Sequence, residues 1–169
     1  MITVLRLGHR RGRDQRISSH VGLTARQFGA DKIIYSGEKD DNMLESLRDV
    51  SDRWGGNFKA EYSDSFRNII RDFEGVSVHL TMYGKPFKNR IEDIKKDREL
   101  LVVVGSEKVP RDIYDLVDFN LAVGNQPHSE VAAIAIFLYE INGGEIPSGF
   151  EDADIEVVPS DGGKKTVEG

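Results

Sequence analysis

The sequence predicts an α/β fold with a mainly parallel sheet. Residues 100–104 and 120–123 are short apolar runs, each cut by a glycine (Gly105, Gly124) and followed by a polar loop with a proline (Pro110, Pro127). Uninterrupted apolar runs suit strands buried on both faces, as parallel sheets require. Elsewhere strand-like and helix-like patterns alternate, the mark of β-α-β units. No internal repeat or low-complexity tract is visible.

Each element has its own signal. Residues 2–7 read as a first strand, and residues 8–16 as a long basic loop. Ser18 or Ser19 caps a helix over residues 20–28, closed by Gly29. Residues 32–35 form a second strand. Asp40-Asp41-Asn42 then supplies a cap for a helix whose inner face carries Met43, Leu47, Val50 and Trp54, ended by Gly55-Gly56. Residues 58–62 form a third strand. Ser63 or Asp64 caps a helix with Phe66, Ile69, Ile70 and Phe73 inward, closed by Gly75. Residues 76–82 are a fourth strand, and residues 85–98 a charged surface helix carrying Phe87, Ile91 and Ile94. The two apolar runs are strands five and six, with a short helix from Pro110 between them and an apolar helix after the second. Gly143-Gly144 and Pro147-Ser148-Gly149 form a linker that divides a main domain, residues 1–146, from residues 147–169. In that last stretch, residues 154–158 and 164–168 flank Ser160-Asp161-Gly162-Gly163, a hairpin signal.

Composition narrows the function. A chain of 169 residues that is 38% hydrophobic can bury a real core. There is no cysteine, which excludes disulfide and thiolate chemistry and fits a reducing cytoplasm. No apolar stretch reaches membrane-spanning length, and no signal peptide is evident. His9, His20, His79 and His128 are scattered, so no metal site is expected. Net charge is −6, yet residues 1–30 hold six arginines against one acid, Asp14. A basic end on an acidic chain is the asymmetry of a local anion-binding surface. Arginine rather than lysine suits bidentate phosphate contacts.

Open α/β sheets bind ligands beyond the carboxyl ends of their strands. The loops after Gly105 and Gly124 should therefore wall one small-molecule pocket. His128-Ser129-Glu130 is not a hydrolase triad, because neighbours opening a helix cannot point at one another. A dinucleotide fold is also disfavoured: Gly8-His9-Arg10-Arg11-Gly12-Arg13 lacks the G-x-G-x-x-G pattern after the first strand.

Four blocks carry a resemblance. They are residues 4–30, with Gly8-His9-Arg10, Arg13-Asp14 and Leu23-Thr24-Ala25-Arg26; residues 78–84; Gly105 with Glu107-Lys108-Val109-Pro110; and residues 124–133. Together they resemble the archaeal tRNA (cytidine-56) 2′-O-methyltransferase family of the SPOUT superfamily, in order and over nearly the whole chain. The resemblance implies a C-terminal deep trefoil knot, the C-terminal β-hairpin, a homodimer, tRNA as partner and S-adenosyl-L-methionine as cofactor. It implies a cofactor pocket made by Leu80, by Gly105, Ser106, Glu107, Lys108 and Val109, and by Val123, Gly124, Asn125, Gln126, Pro127, His128, Ser129 and Glu130. Arg26, whose spacing from His20 resembles the asparagine–arginine pair of related RNA 2′-O-methyltransferases, and Arg16 are the catalytic candidates, one of them clamping the phosphate beside the target ribose and stabilising the developing alkoxide. Arg10, Arg11, Arg13 and His20 are the implied RNA contacts. His20 and His128 stand where related enzymes carry asparagine. Two alternatives stay open: a SPOUT methyltransferase acting at another RNA site, and a non-enzymatic RNA-binding module.

Overall fold

The computed structural model describes residues 1–95, 99–106 and 108–169. Its centre is a six-stranded parallel sheet in the order β3-β2-β1-β5-β4-β6. The strands are β1 (Ile2–His9), β2 (Lys32–Gly37), β3 (Lys59–Tyr62), β4 (Val76–Pro86), β5 (Leu100–Gly105) and β6 (Phe119–Ala122). The helices are α1 (Arg11–Gln27), α2 (Asp41–Trp54), α3 (Phe66–Arg71), α4 (Ile91–Ile94), α5 (Ile113–Leu116) and α6 (Glu130–Ile141). An antiparallel pair, β7 (Ile155–Val157) with β8 (Thr166–Glu168), lies at the C-terminal end.

The apolar runs behave as a two-sided sheet demands. In β5, Leu100, Val102 and Val104 face one core with Val4, Ile33 and Phe137, while Leu101 and Val103 face a second core with Leu5, Ile34 and Ile113. A strand with period-two side chains is apolar throughout only when both faces are covered. On the first face α1 packs against α6, whose Ile134, Phe137 and Leu138 are fully buried.

Two expectations change. Residues 8–16 are not a long loop: α1 begins at Arg11, and Ser18 is buried inside it rather than capping it. The N-cap, Arg10, makes no side-chain cap bond. One acid of the helix's own first turn and one from beyond β2 satisfy open N–H groups instead. Asp14 Oδ2 accepts from the Arg10 N–H at 3.1 Å, and Glu38 Oε2 accepts from the Arg11 N–H at 2.8 Å. The charged helix over residues 85–98 is also shorter. β4 runs to Pro86, a 3₁₀ turn covers Phe87–Asn89, and only Ile91–Ile94 is α-helical; residues 96–98 lie outside the described residues.

β4 carries an irregularity that shapes the site. Leu80 and Lys85 both pair with Leu121, so residues 81–84 bulge out between two pairings. Gly84 is required there, because an added Cβ would lie 2.5 Å from the Leu121 carbonyl carbon and 2.6 Å from its nitrogen.

Candidate active site

A cleft of about 810 Å³ opens where the carboxyl ends of β4, β5 and β6 meet the start of α1. One wall is the bulge, with Thr81, Met82 and Tyr83. A second is the turn after β5, with Gly105, Ser106, Lys108 and Val109. A third is the segment after β6, with Val123, Pro127, His128, Ser129 and Glu130. Arg10, Arg13, Asp14 and Ile17 from α1 close the fourth side, and Arg6 of β1 reaches in below.

Local chemistry holds these walls in place. The Asn125 side-chain amide donates to the carbonyls of Met82 (2.7 Å) and Gly84 (2.9 Å), tying the post-β6 loop to the bulge. Ser129 caps α6, its Oγ accepting from the Val131 N–H at 3.2 Å. A Cβ on Gly105 would collide with Val109 Cγ2, so glycine brings that turn close to the strand end. Thr81 Oγ1 meets the Tyr114 hydroxyl at 3.1 Å, and the Tyr114 ring stands edge-on to His79 at 4.9 Å.

The electrostatics are uneven. Arg6 is 1% exposed, and its Nε and Nη2 donate to Glu130 Oε1 at 3.2 and 2.9 Å. Burial pushes the Glu130 carboxyl above its usual range; Arg6 opposes this through charge and hydrogen bonding, and Asp14 adds to it. Asp14 goes the other way. Burial alone would raise it, but Arg10, by hydrogen bond and charge, and Arg6 hold it below the usual carboxylate range. Burial also lowers His79, against the hydrogen bond that its Nδ1–H donates to Asn120 Oδ1 at 2.9 Å.

Of the expected cofactor residues, Leu80, Gly105, Ser106, Lys108, Val109, Val123, Pro127, His128, Ser129 and Glu130 line this cleft. Gly124, Asn125 and Gln126 stand behind it, and Glu107 lies outside the described residues. Arg10 and Arg13 line the cleft; Arg11, Arg16 and His20 are exposed on α1 away from it. Arg26 lies elsewhere in the chain. It is buried at the far end of α1, donates to the carbonyls of Trp54 (3.0 Å) and Gly55 (2.7 Å), and lies 4.2 Å from the centre of the Phe150 ring. The structure does not bring it to the cleft. Arg6 was missed, although a charged residue between Leu5 and Leu7 in a buried strand was a visible signal.

The sequence model of the tRNA ribose 2′-O-methyltransferase family aTrm56 matches residues 54–167. The chain belongs to this family. A relative from Thermococcus kodakarensis is 50% identical over 175 residues, covering 99% of this chain and 97% of its own. One from Archaeoglobus fulgidus is 52% identical over 166 residues, covering 98% of each. Both are named tRNA (cytidine(56)-2′-O)-methyltransferase. Among solved structures, the A. aeolicus TrmH/SpoU tRNA modifying enzyme matches with a TM-score of 0.62 at 17% identity, over 85% of this chain and 74% of that one. The SpoU methyltransferase AviRb from Streptomyces viridochromogenes, solved in complex with AdoMet, matches with a TM-score of 0.59 at 17% identity, over 83% and 56%. At that identity the likeness is one of fold: this chain shares the fold of these SpoU and TrmH enzymes.

Proposed function

We propose that this chain is an S-adenosyl-L-methionine-dependent methyltransferase that modifies the ribose 2′-hydroxyl of cytidine 56 in tRNA. The observation that carries it is full-length identity near 50% with enzymes of that name, in a chain whose cleft combines apolar strand ends with buried charge. The site suits the cofactor. Leu80, Val104, Val109 and Val123 offer an apolar surface for a planar base, and the glycine-tipped turns expose backbone polar groups. When bound, S-adenosyl-L-methionine supplies an activated methyl group.

The chain's own residues do the rest by placement. Arg10 and Arg13 border the cleft on the first turns of α1, where they meet the phosphates beside the target ribose. Arg11, Arg16 and His20 extend that exposed surface along the helix, toward the rest of the tRNA. In-line placement of hydroxyl and methyl group supplies much of the rate for a transfer of this kind. The SPOUT likeness supports a deep trefoil knot around the β4, β5 and β6 ends. The exposed Leu23 of α1 and Ile136 and Tyr139 of α6, two helices packed together, support a homodimer. The cysteine-free composition supports a cytoplasmic enzyme.

The test is incubation of purified protein with unmodified tRNA transcript and methyl-labelled cofactor, followed by nuclease mapping. Label in the ribose of cytidine 56 is expected. Label at another nucleoside, or none, would reject the proposal.

A further inference from the structure

Among the described residues two carboxylates line the cleft, and their surroundings drive them apart. Asp14 Oδ2 accepts from both the backbone N–H and Nε of Arg10, each at 3.1 Å, so that carboxylate is held ionised and weakly basic. Glu130 is half-buried, and that desolvation makes it more basic despite the Arg6 beside it. Such divergence separates the group that exchanges protons from the one that only carries charge.

The geometry of Glu130 points the same way. Arg6 fastens only Oε1, through both Nε and Nη2. A purely structural fork would engage both oxygens in parallel. Oε2 has no hydrogen bond among the described residues and is not one of their sealed polar atoms; 14% of the side chain remains exposed.

We propose that Glu130 is the catalytic proton acceptor of the methyl transfer, with Arg6 as the positioning residue that fixes its orientation. This rests on the methyltransferase reading above. As the ribose O2′ bonds to the methyl carbon, the carbon–sulfur bond breaks and its electron pair stays on sulfur. The hydroxyl proton passes to Glu130 Oε2 and is later released to water, which restores the carboxylate. Other cleft groups are poorer acceptors. Arginine does not deprotonate. His79 is buried, with its Nδ1–H donated to Asn120 Oδ1, and His128 is open to solvent, with its Nδ1–H donated to the Gln126 carbonyl. The charged and titratable groups facing Glu130 are Arg6 from β1, Asp14 from α1 and Tyr35 from β2. Around the cleft they are joined by Arg10, Arg13, Lys108, His79 and His128.

The test is E130Q, which keeps an oxygen for Arg6 and removes the base. Affinity for tRNA by fluorescence should stay within threefold of wild type, and at saturating cofactor the single-turnover rate should fall by about 10²–10⁴-fold, the usual worth of a general base and far more than any loss of cofactor affinity read by calorimetry. In ligand-free wild type, the Glu130 carboxyl carbon resonance, assigned by through-bond correlation from its own backbone, should titrate above the ordinary glutamate value of about 4.3. The wild-type transfer rate should rise through that same pH and then level off. A rate within threefold of wild type, or a rate loss matched by an equal loss of cofactor affinity, would overturn the proposal. If E130Q fails to fold, the wild-type comparison decides: a rate that is flat through the carboxyl titration would overturn it. Wild type that transfers no methyl group would instead sink the functional reading.

Discussion

Gly84→Ala tests whether backbone contact between the β4 bulge and β6 builds the site. The new Cβ would stand 2.5–2.7 Å from three atoms, the Leu121 carbonyl carbon, Leu121 nitrogen and Asn120 carbonyl carbon. All three are backbone, so no rotamer change relieves the contact, and the strands must part. Overpacking of this kind costs about 1–3 kcal/mol. At roughly 2–4 °C per kcal/mol for a chain of this size, the melting temperature should fall by about 2–12 °C. The site should suffer too. The Gly84 carbonyl is one of two acceptors holding Asn125. Loss of one such bond, worth about 0.5–1.5 kcal/mol, should weaken cofactor binding by up to about tenfold. Gly12→Ala is the control. A Cβ there meets nothing within 4 Å, and the residue lies in α1. Alanine for glycine in a helix stabilises by about 0.5–1 kcal/mol, so this variant should melt higher with unchanged cofactor affinity. Thermal unfolding by circular dichroism and cofactor titration by calorimetry read both effects. A Gly84→Ala protein that melts and binds like wild type would refute the reasoning.

Three further outcomes are expected. Arg13→Gln should weaken tRNA binding and reduce the slope of log affinity against log salt by about one, measured by fluorescence titration at several salt concentrations; an unchanged slope would remove Arg13 from the phosphate surface. Arg26→Ala should lower stability by about 2–4 kcal/mol by losing two bonds to carbonyls and the Phe150 contact, and should speed proteolysis near residues 147–154, while cofactor affinity holds. Lost turnover with an unchanged melting temperature would return Arg26 to the chemistry. His79 has a lowered pKa in the fold, so below about pH 6.5 the unfolded chain takes up a proton that the folded one refuses. Its contribution is therefore level above that pH and lost below it: wild type should lose more melting temperature between pH 7 and 5.5 than His79→Gln, and equal losses would contradict this.

Much of the architecture was legible because burial on both faces leaves a local trace. The runs at 100–104 and 120–123 announced parallel strands, and the glycines after them marked the turns that line the cleft. What was not legible depended on partners far along the chain. The start of α1 has no capping side chain at Arg10, and Glu38, which satisfies the Arg11 N–H, lies 27 residues away. Arg6 and Glu130 meet across 124 residues, and nothing near either announces the other. Arg26 was a catalytic candidate by family resemblance, and no residue near it in sequence shows that its guanidinium bonds to Trp54 and Gly55 and lies over Phe150. The bulge at 81–84 has no local signal either, since it arises from how β4 meets β6.

The most direct measurement compares two tRNAs that differ by one oxygen atom, one with cytidine and one with 2′-deoxycytidine at position 56. The account predicts that the first accepts one methyl group per molecule and that the second accepts none while binding with similar affinity. Equal methylation of both would contradict it.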